Sequence, residues 1–162
     1  MNYLLVSPNF PTSQESFARK LVEKGVRVLG IGSENYDNLT DGLKNSLTEY
    51  YKVNDLENYE EVLRGVAFLI YKHGVIDRVE SNNEHWLTLD SLIREQFNIP
   101  GVKPKNLDFT KYKSKMKERF IKANVPVAKG RAVKNIKELE KAIKEIKLPV
   151  IAKPDNGVGA NN

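Results

Sequence analysis

The stretch NYLLVSPNFPTSQESFARKLVEKGVRVLGIG, residues 2–32, decides the fold. It opens on a short apolar run, Asn2 to Ser7, of the length of one strand. Pro8 and Pro11 rule out regular structure in the loop that follows. Thr12-x-x-Glu15 reads as a capping box at the start of a helix. Phe17, Leu21 and Val22 recur at helical spacing, and Gly25 stands where a C-cap glycine belongs. Residues 26–32 return to an apolar, β-rich run. Strand, helix and strand within about 30 residues make a βαβ unit, with a parallel sheet and a right-handed crossover.

Working outward, EYYKV (49–53) predicts a third strand. Asn58-x-x-Glu61 is a second capping box, and Tyr59, Val62, Val66, Leu69 and His73 follow on one helical face as far as Gly74. VIDRVE (75–80) predicts a fourth strand. The next helix carries Leu89, Leu92, Ile93 and Phe97 as its buried stripe and ends at NIPG (98–101). Residues 1–102 therefore read as an α/β domain built on an open parallel sheet of about four strands.

Beyond it, VKPKNLD (102–108) reads as a loop and residues 111–124 as a basic helix with Met116, Phe120 and Ile121 on its core side. Residues 125–133 show a strand pattern. Residues 135–147 form an amphipathic helix with Ile136, Leu139, Ile143 and Ile146 inward. A last strand is expected at 149–154, ending around Lys153.

The net charge of +5 conceals a division. Residues 1–102 hold 10 basic and 15 acidic side chains, net −5, whereas residues 103–162 hold 16 and 6, net +10. So sharp an asymmetry points to two functional regions, the second facing an anion. Cysteine is absent, which excludes disulfides and thiolate metal sites. No apolar run approaches the roughly 20 residues that cross a bilayer, and no secretory signal is evident, so the expected location is cytoplasmic. His73 and His85 lack any patterned partner and read as helix-surface residues.

Three stretches could carry chemistry. In LPVIAKPDNGVGANN (148–162), Lys153 ends a strand pattern, and Gly157 and Gly159 would let backbone N–H groups approach phosphate oxygens. A lysine ~4 Å from a phosphate charge is worth roughly 4 kcal/mol at an effective dielectric of 20. The alternative is a Lys-Pro turn with a glycine tail. Neither a P-loop nor a Gly-x-Gly-x-x-Gly fingerprint is present. In the basic segment, Lys111, Lys113, Lys115 and Lys117 cannot share one helical face, so at most one or two line a pocket and the rest are solvated. In VESNNEHW (79–86), Glu80 closes the fourth strand and Glu84 lies in the turn after it. The carboxyl ends of parallel strands are where such sheets bind ligands, so these carboxylates are candidates for an amine or other cationic substrate end. Glu84 serves equally well as a helix-starting acid.

Taken together, KYKSKMKERFIKANVPVAKG, IKELEKAIKEIK, LPVIAKP and DNGVGA, in this order behind an α/β domain, resemble the ATP-grasp superfamily of ADP-forming carboxylate–amine ligases. The likeness is to the biotin carboxylase, carbamoyl phosphate synthetase large-subunit and glycinamide ribonucleotide synthetase type. It implies a Rossmann-like pre-ATP-grasp domain (1–102) followed by an incomplete ATP-grasp small subdomain (103–162). It also implies two lysines on the phosphates of ATP. One is Lys153. The other lies eleven residues before the glycine of the family's Gly-Val-Pro, here Asn124, which gives Lys113. Because Tyr112 stands where the family often has Asp, Lys115 and Lys117 remain alternatives. The family's strand-end acid would be Glu80 or Glu84.

By that resemblance the cofactors are ATP and Mg2+, the partners a nucleotide and a small-molecule carboxylate, and the reaction passes through an acyl phosphate. The family's adenine-binding hinge and magnesium carboxylates have no counterpart here, so the chain is expected to be a truncated front part, inactive by itself. A strand ending at Lys153 without later neighbours would leave an open edge, which predicts a less ordered segment or pairing with a second copy. Two rival readings are a small-ligand or regulatory α/β module without catalysis, and nucleic-acid binding through residues 103–147. The second is disfavoured by the acidic first half and by the shortage of surface aromatics, with only Phe109 and Tyr112 left for stacking.

Overall fold

A computed structural model of the chain describes residues 1–157. The chain divides into two compact units, Met1–Pro104 and a second that begins at Lys105.

The first unit is a four-stranded, wholly parallel sheet. Its strands are β1 (Asn2–Val6), β2 (Arg27–Gly32), β3 (Glu49–Lys52) and β4 (Arg78–Glu80), in the spatial order β3-β2-β1-β4. Helices α1 (Gln14–Glu23), α2 (Asp41–Ser46), α3 (Tyr59–His73) and α4 (Leu87–Gln96) complete it. Side chains alternate across a strand, and both faces of this sheet are covered. Leu4, Val6, Leu29, Ile31 and Val79 share one core with Val62, Val66 and Leu69 of α3 and Leu89 and Ile93 of α4. Tyr3, Leu5 and Val28 share the other with Ala18 of α1 and Leu43 of α2. This two-faced burial explains why β1 reads as an unbroken apolar run.

Gly65 sets how closely α3 approaches the sheet. A Cβ there would lie 2.7 Å from the Tyr51 ring and 2.8 Å from the tip of Ile31. Three helices end in the same way. Gly25 after α1, Asn98 after α4 and Asn124 after α6 (Lys113–Lys122) all take positive φ, and the next residue's N–H returns to a carbonyl a turn back. Asn is the residue other than glycine that best tolerates this conformation, which accounts for Asn124 where the resembled motif has Gly.

Several expectations are corrected. The Thr12–Glu15 capping box does not form: α1 begins after Ser13 without a side-chain cap, and Glu15 instead accepts the Thr40 hydroxyl at 2.5 Å. A tertiary partner has won over a local one. The box at Asn58 is half made. Asn58 Oδ1 accepts the Glu61 N–H at 3.2 Å, while Glu61 turns to the Asn54 N–H at 2.8 Å. Helix α2 was not foreseen, although Thr40 caps it by accepting the Leu43 N–H at 3.2 Å.

The second unit departs further from the expectation. The segment read as a loop is helical: α5 runs Pro104–Lys111, and extended Tyr112 separates it from α6. Helix α7 (Ile136–Ile146) forms with Asn135 as its cap, but of its expected inward stripe Ile136 is 73% exposed and Leu139 is exposed too. Phe120 and Ile121 of α6, also expected inward, are exposed. Among the described residues no strand forms at 125–133 or 149–154. A strand exists only where a neighbour supplies hydrogen-bond partners, and Pro126, Pro149 and Pro154 each lack a donor.

Candidate functional site

In the first unit, β1 is flanked by β2 on one side and β4 on the other, so chain direction diverges between β1 and β4. A sheet of this kind opens a crevice there, beyond the carboxyl ends of its strands. Four buried polar side chains converge on that end. Gln14, the first residue of α1, donates to the Ser81 carbonyl through Nε2 and accepts from Asn82 Nδ2 at 3.0 Å. Asp90 Oδ2 accepts both the Ser81 N–H at 3.1 Å and the Ser81 hydroxyl at 2.7 Å. Burial pushes the Asp90 carboxyl up to about 6, although the Ser81 hydrogen bonds and the Arg94 guanidinium act the other way. Asp90 Oδ1 has no hydrogen-bond partner among the described residues.

Arg94 binds the end of β4 to the chain that leaves α4. Its Nη2 meets Glu80 Oε2 at 2.9 Å and donates to the Val79 carbonyl at 2.6 Å, and its Nη1 donates to the Val102 carbonyl at 3.3 Å. The Arg94 side chain is 4% exposed and that of Glu80 39%. Glu80 is therefore not a free carboxylate: one oxygen is committed to Arg94, and the group is only partly open to solvent. Glu84 opens a short 3-10 turn capped by Asn83, and its side chain is exposed. It has the position of a helix-starting acid.

Asp90 and Arg94 escaped the sequence reading, yet they left a signal. They are opposite charges four residues apart, each adjoining the apolar stripe of α4 at Leu89 and Ile93. A charged pair on the inward side of a helix announces a buried ion network.

In the second unit, two of the candidate segments meet. The Lys113 N–H donates to the Asp155 carbonyl at 3.0 Å. The Ser114 N–H donates to Asp155 Oδ1 at 2.7 Å and the Ser114 hydroxyl to Oδ2 at 2.8 Å. Residues 41 and 42 apart in sequence are thus joined by three hydrogen bonds at the start of α6. Those hydrogen bonds, with the ammoniums of Lys113 and Lys115, hold the Asp155 carboxyl below the usual carboxylate range. Lys153 is exposed, two residues before Asp155, in a segment without regular secondary structure rather than at a strand end.

The three candidate lysines on α6 differ in their engagements. Lys117 reaches the Gly130 carbonyl at 3.4 Å and lines an open hollow of about 400 Å³ with Ile121, Val127 and Ile146. Lys115 lies 3.6 Å from Glu118. Lys113 is exposed beside Asp155. A Cβ at Gly157 would meet only Pro154, at 3.5 Å, so local packing does not demand glycine there. Gly159 lies outside the described residues. Phe109 carries the Arg119 guanidinium 3.7 Å above its ring, which occupies one of the two aromatics left for base stacking.

No known family's model matches the chain. Over 70 residues it is 34% identical to the carbamoyl phosphate synthase large chain of Clostridium acetobutylicum, an overlap of 43% of this chain and 7% of that one. In structure it is similar to the L-amino acid ligase from Bacillus licheniformis, with a TM-score of 0.59 and 14% identity over 97% of this chain and 38% of the ligase. It is also similar to the biotin carboxylase domain of Hydrogenobacter thermophilus 2-oxoglutarate carboxylase, with a TM-score of 0.61 and 23% identity over 91% of this chain and 33% of that one. The chain spans well under half the length of each of these three proteins. With its 3-2-1-4 parallel sheet the chain shares its fold with parts of the L-amino acid ligase and of the biotin carboxylase domain, and a 70-residue stretch of its sequence is similar to the carbamoyl phosphate synthase large chain.

Proposed function

We propose that the chain is the front of an ADP-forming carboxylate–amine ligase, and that Lys113 and Lys153 hold the phosphates of ATP. The observation that carries this reading is the junction of residues 113–114 with Asp155, which brings the two lysine-bearing segments to one place. Lys113 is preferred to its neighbours because Lys115 lies against Glu118 and Lys117 reaches Gly130. Gly157 and Gly159 would let the backbone close over the phosphates. The Hydrogenobacter biotin carboxylase domain, solved as a dimer with MgADP, ADP and bicarbonate, gives the nucleotide and pairing with a second copy as further parts of the proposal. A cytoplasmic location belongs to it as well; among the described residues no helix is long and apolar enough to cross a membrane.

In the proposed reaction a substrate carboxylate oxygen attacks the γ-phosphorus of ATP, and the bond to the bridging oxygen breaks as ADP leaves. The amine then attacks the acyl carbon, a proton is lost from nitrogen, and inorganic phosphate departs. Phosphoryl transfer asks the protein for positioning and charge stabilisation, which two ammoniums can supply. Magnesium would neutralise phosphate charge when bound. Among the described residues no group of three or more His, Asp or Glu side chains is placed to hold a metal. Glu84, and the oxygen of Glu80 that Arg94 leaves, are the proposed contacts for a cationic substrate end. We expect these 162 residues by themselves to bind nucleotide without turnover, because the resemblance leaves the family's hinge and magnesium carboxylates unmatched.

Calorimetric titration with MgADP tests the reading. Lys113→Ala and Lys153→Ala should each weaken binding by about tenfold, the scale of one charge-assisted contact. Lys20→Ala, at an exposed pair with Glu23, should leave it unchanged. Affinities equal to the unaltered chain in both lysine variants would sink the proposal. ADP release above background from ATP and a panel of carboxylates would refute the inactivity of the chain.

A second reading rests on the first unit alone, where buried Asp90, hydrogen-bonded to Ser81 just after β4, keeps one oxygen without a partner among the described residues. A small-ligand module would be stabilised by its ligand without any hydrolysis, and MgADP would not bind.

A further inference from the structure

We infer that Asp155 is a positioning residue for nucleotide binding: it fastens the segment bearing Lys153 to the start of α6, so that Lys153 and Lys113 face the same polyphosphate. The inference rests on the nucleotide reading above and deepens it.

The segment needs such a fastening. No ladder holds residues 149–154 among the described residues, so the backbone around Lys153 lacks the registry a sheet would give. Val150, Ile151 and Lys153 are exposed. A lysine two residues from a point anchored by three hydrogen bonds is restricted to a small volume, whereas a lysine on an unanchored extended chain is not. Asp155 is suited to this task because its carbonyl and both carboxylate oxygens are used at once. The carbonyl takes the Lys113 N–H, and the two carboxylate oxygens take the N–H and hydroxyl of Ser114. A carboxylate at the first turn of a helix also meets the positive end of the helix dipole. The partner of the clasp is residue 113 itself, so anchoring Asp155 fixes one candidate lysine relative to the other.

Electrostatics makes the inference sharp. Asp155 is an anion close to Lys113 and Lys115. As a bystander it would repel a polyphosphate, and its removal would leave binding unchanged or tighten it. As a positioning residue it does the reverse: its removal frees Lys153 and weakens binding, although the site loses a negative charge.

The experiment uses the full 162-residue chain and MgADP, with inorganic tripolyphosphate as a second probe that lacks the nucleoside. Asp155→Ala should weaken both by about tenfold, and Asp155→Asn, which keeps an acceptor for the Ser114 N–H, by less. Asp155→Ala should add little to the loss in Lys153→Ala, since the two residues act as one unit. Exchange of the Ser114 amide proton, which reads the clasp without any ligand, should speed up by about tenfold in Asp155→Ala. Ser114→Ala, which removes only the hydroxyl donor, should fall between the unaltered chain and Asp155→Ala.

Equal or tighter binding by Asp155→Ala, full additivity with Lys153→Ala, or unchanged exchange at Ser114 would each overturn the inference. Failure of the broader reading looks different: there the unaltered chain binds neither probe, or the two lysine variants bind as it does, and the positioning role falls with it. Weakening by the lysine variants but not by Asp155→Ala would remove the positioning role alone.

Discussion

The two units of the chain are held together by different physics. The first has a sheet with helices on both faces and two continuous apolar cores. The second, among the described residues, has helices without a sheet, and large apolar side chains such as Ile121, Ile136, Leu148 and Ile151 remain exposed. Both sequences show the patterns of amphipathic secondary structure. The lesson is that a pattern names the face that wants burial, while burial itself requires a partner surface.

The sharpest way to break the comparison is at Arg94, whose guanidinium joins β4 to the chain after α4. Arg94→Ala would strand buried carbonyls and half of an ion pair, and should cost about 3–5 kcal/mol in urea unfolding. A loss below 1 kcal/mol would show that water reaches this network freely. Next come matched isoleucines. Ile93→Ala, in the first core, should cost about 2–5 kcal/mol, and Ile136→Ala, on the outer side of α7, no more than about 0.5. Equal losses would erase the distinction between the two units.

Asp90 gives the comparison a pH axis. Its carboxyl titrates at about 6 in the folded chain, above the ordinary value of 3.8. Folding therefore favours the protonated form. The associated stability is complete below pH 3.8 and is lost as pH rises to about 6. The loss is on the order of 1–3 kcal/mol, from about 1.4 kcal/mol per unit. Asp90→Asn should gain on the unaltered chain across that window and run parallel to it above. A difference independent of pH would show that the buried carboxyl is not the titrating group.

The smallest effects are at the caps. Thr40→Ala and Asn135→Ala remove side-chain acceptors for Leu43 and Glu138, and each should cost about 1 kcal/mol. In the first unit the loss should appear as a lowered unfolding midpoint. In the second it should appear as reduced helicity of α7, read by amide exchange, with the first unit unmoved. A common midpoint shift in both variants would mean that the units unfold as one.

The sequence by itself determined the four strands and the helices α1, α3 and α4 of the first unit, in their order along the chain. The apolar runs within 2–7 and 26–32 predict strands, and Gly25 and Gly74 mark helix ends through the positive φ that glycine adopts without strain. It also supplied Lys113 and Lys153, through a resemblance rather than through spacing alone. What it could not show was pairing between residues far apart in the chain. The Thr12–Glu15 box was locally sound, but Glu15 found Thr40. Glu80 read as a free strand-end acid until the fold brought Arg94 against it. Asp155 was only part of a turn until it met Ser114. The strand patterns at 125–133 and 149–154 promised ladders that have no neighbour among the described residues. Local geometry is set by each residue's own torsions and is legible along the chain; which hydrogen-bonding group answers which is a competition over the whole fold, decided only when distant segments arrive at the same place.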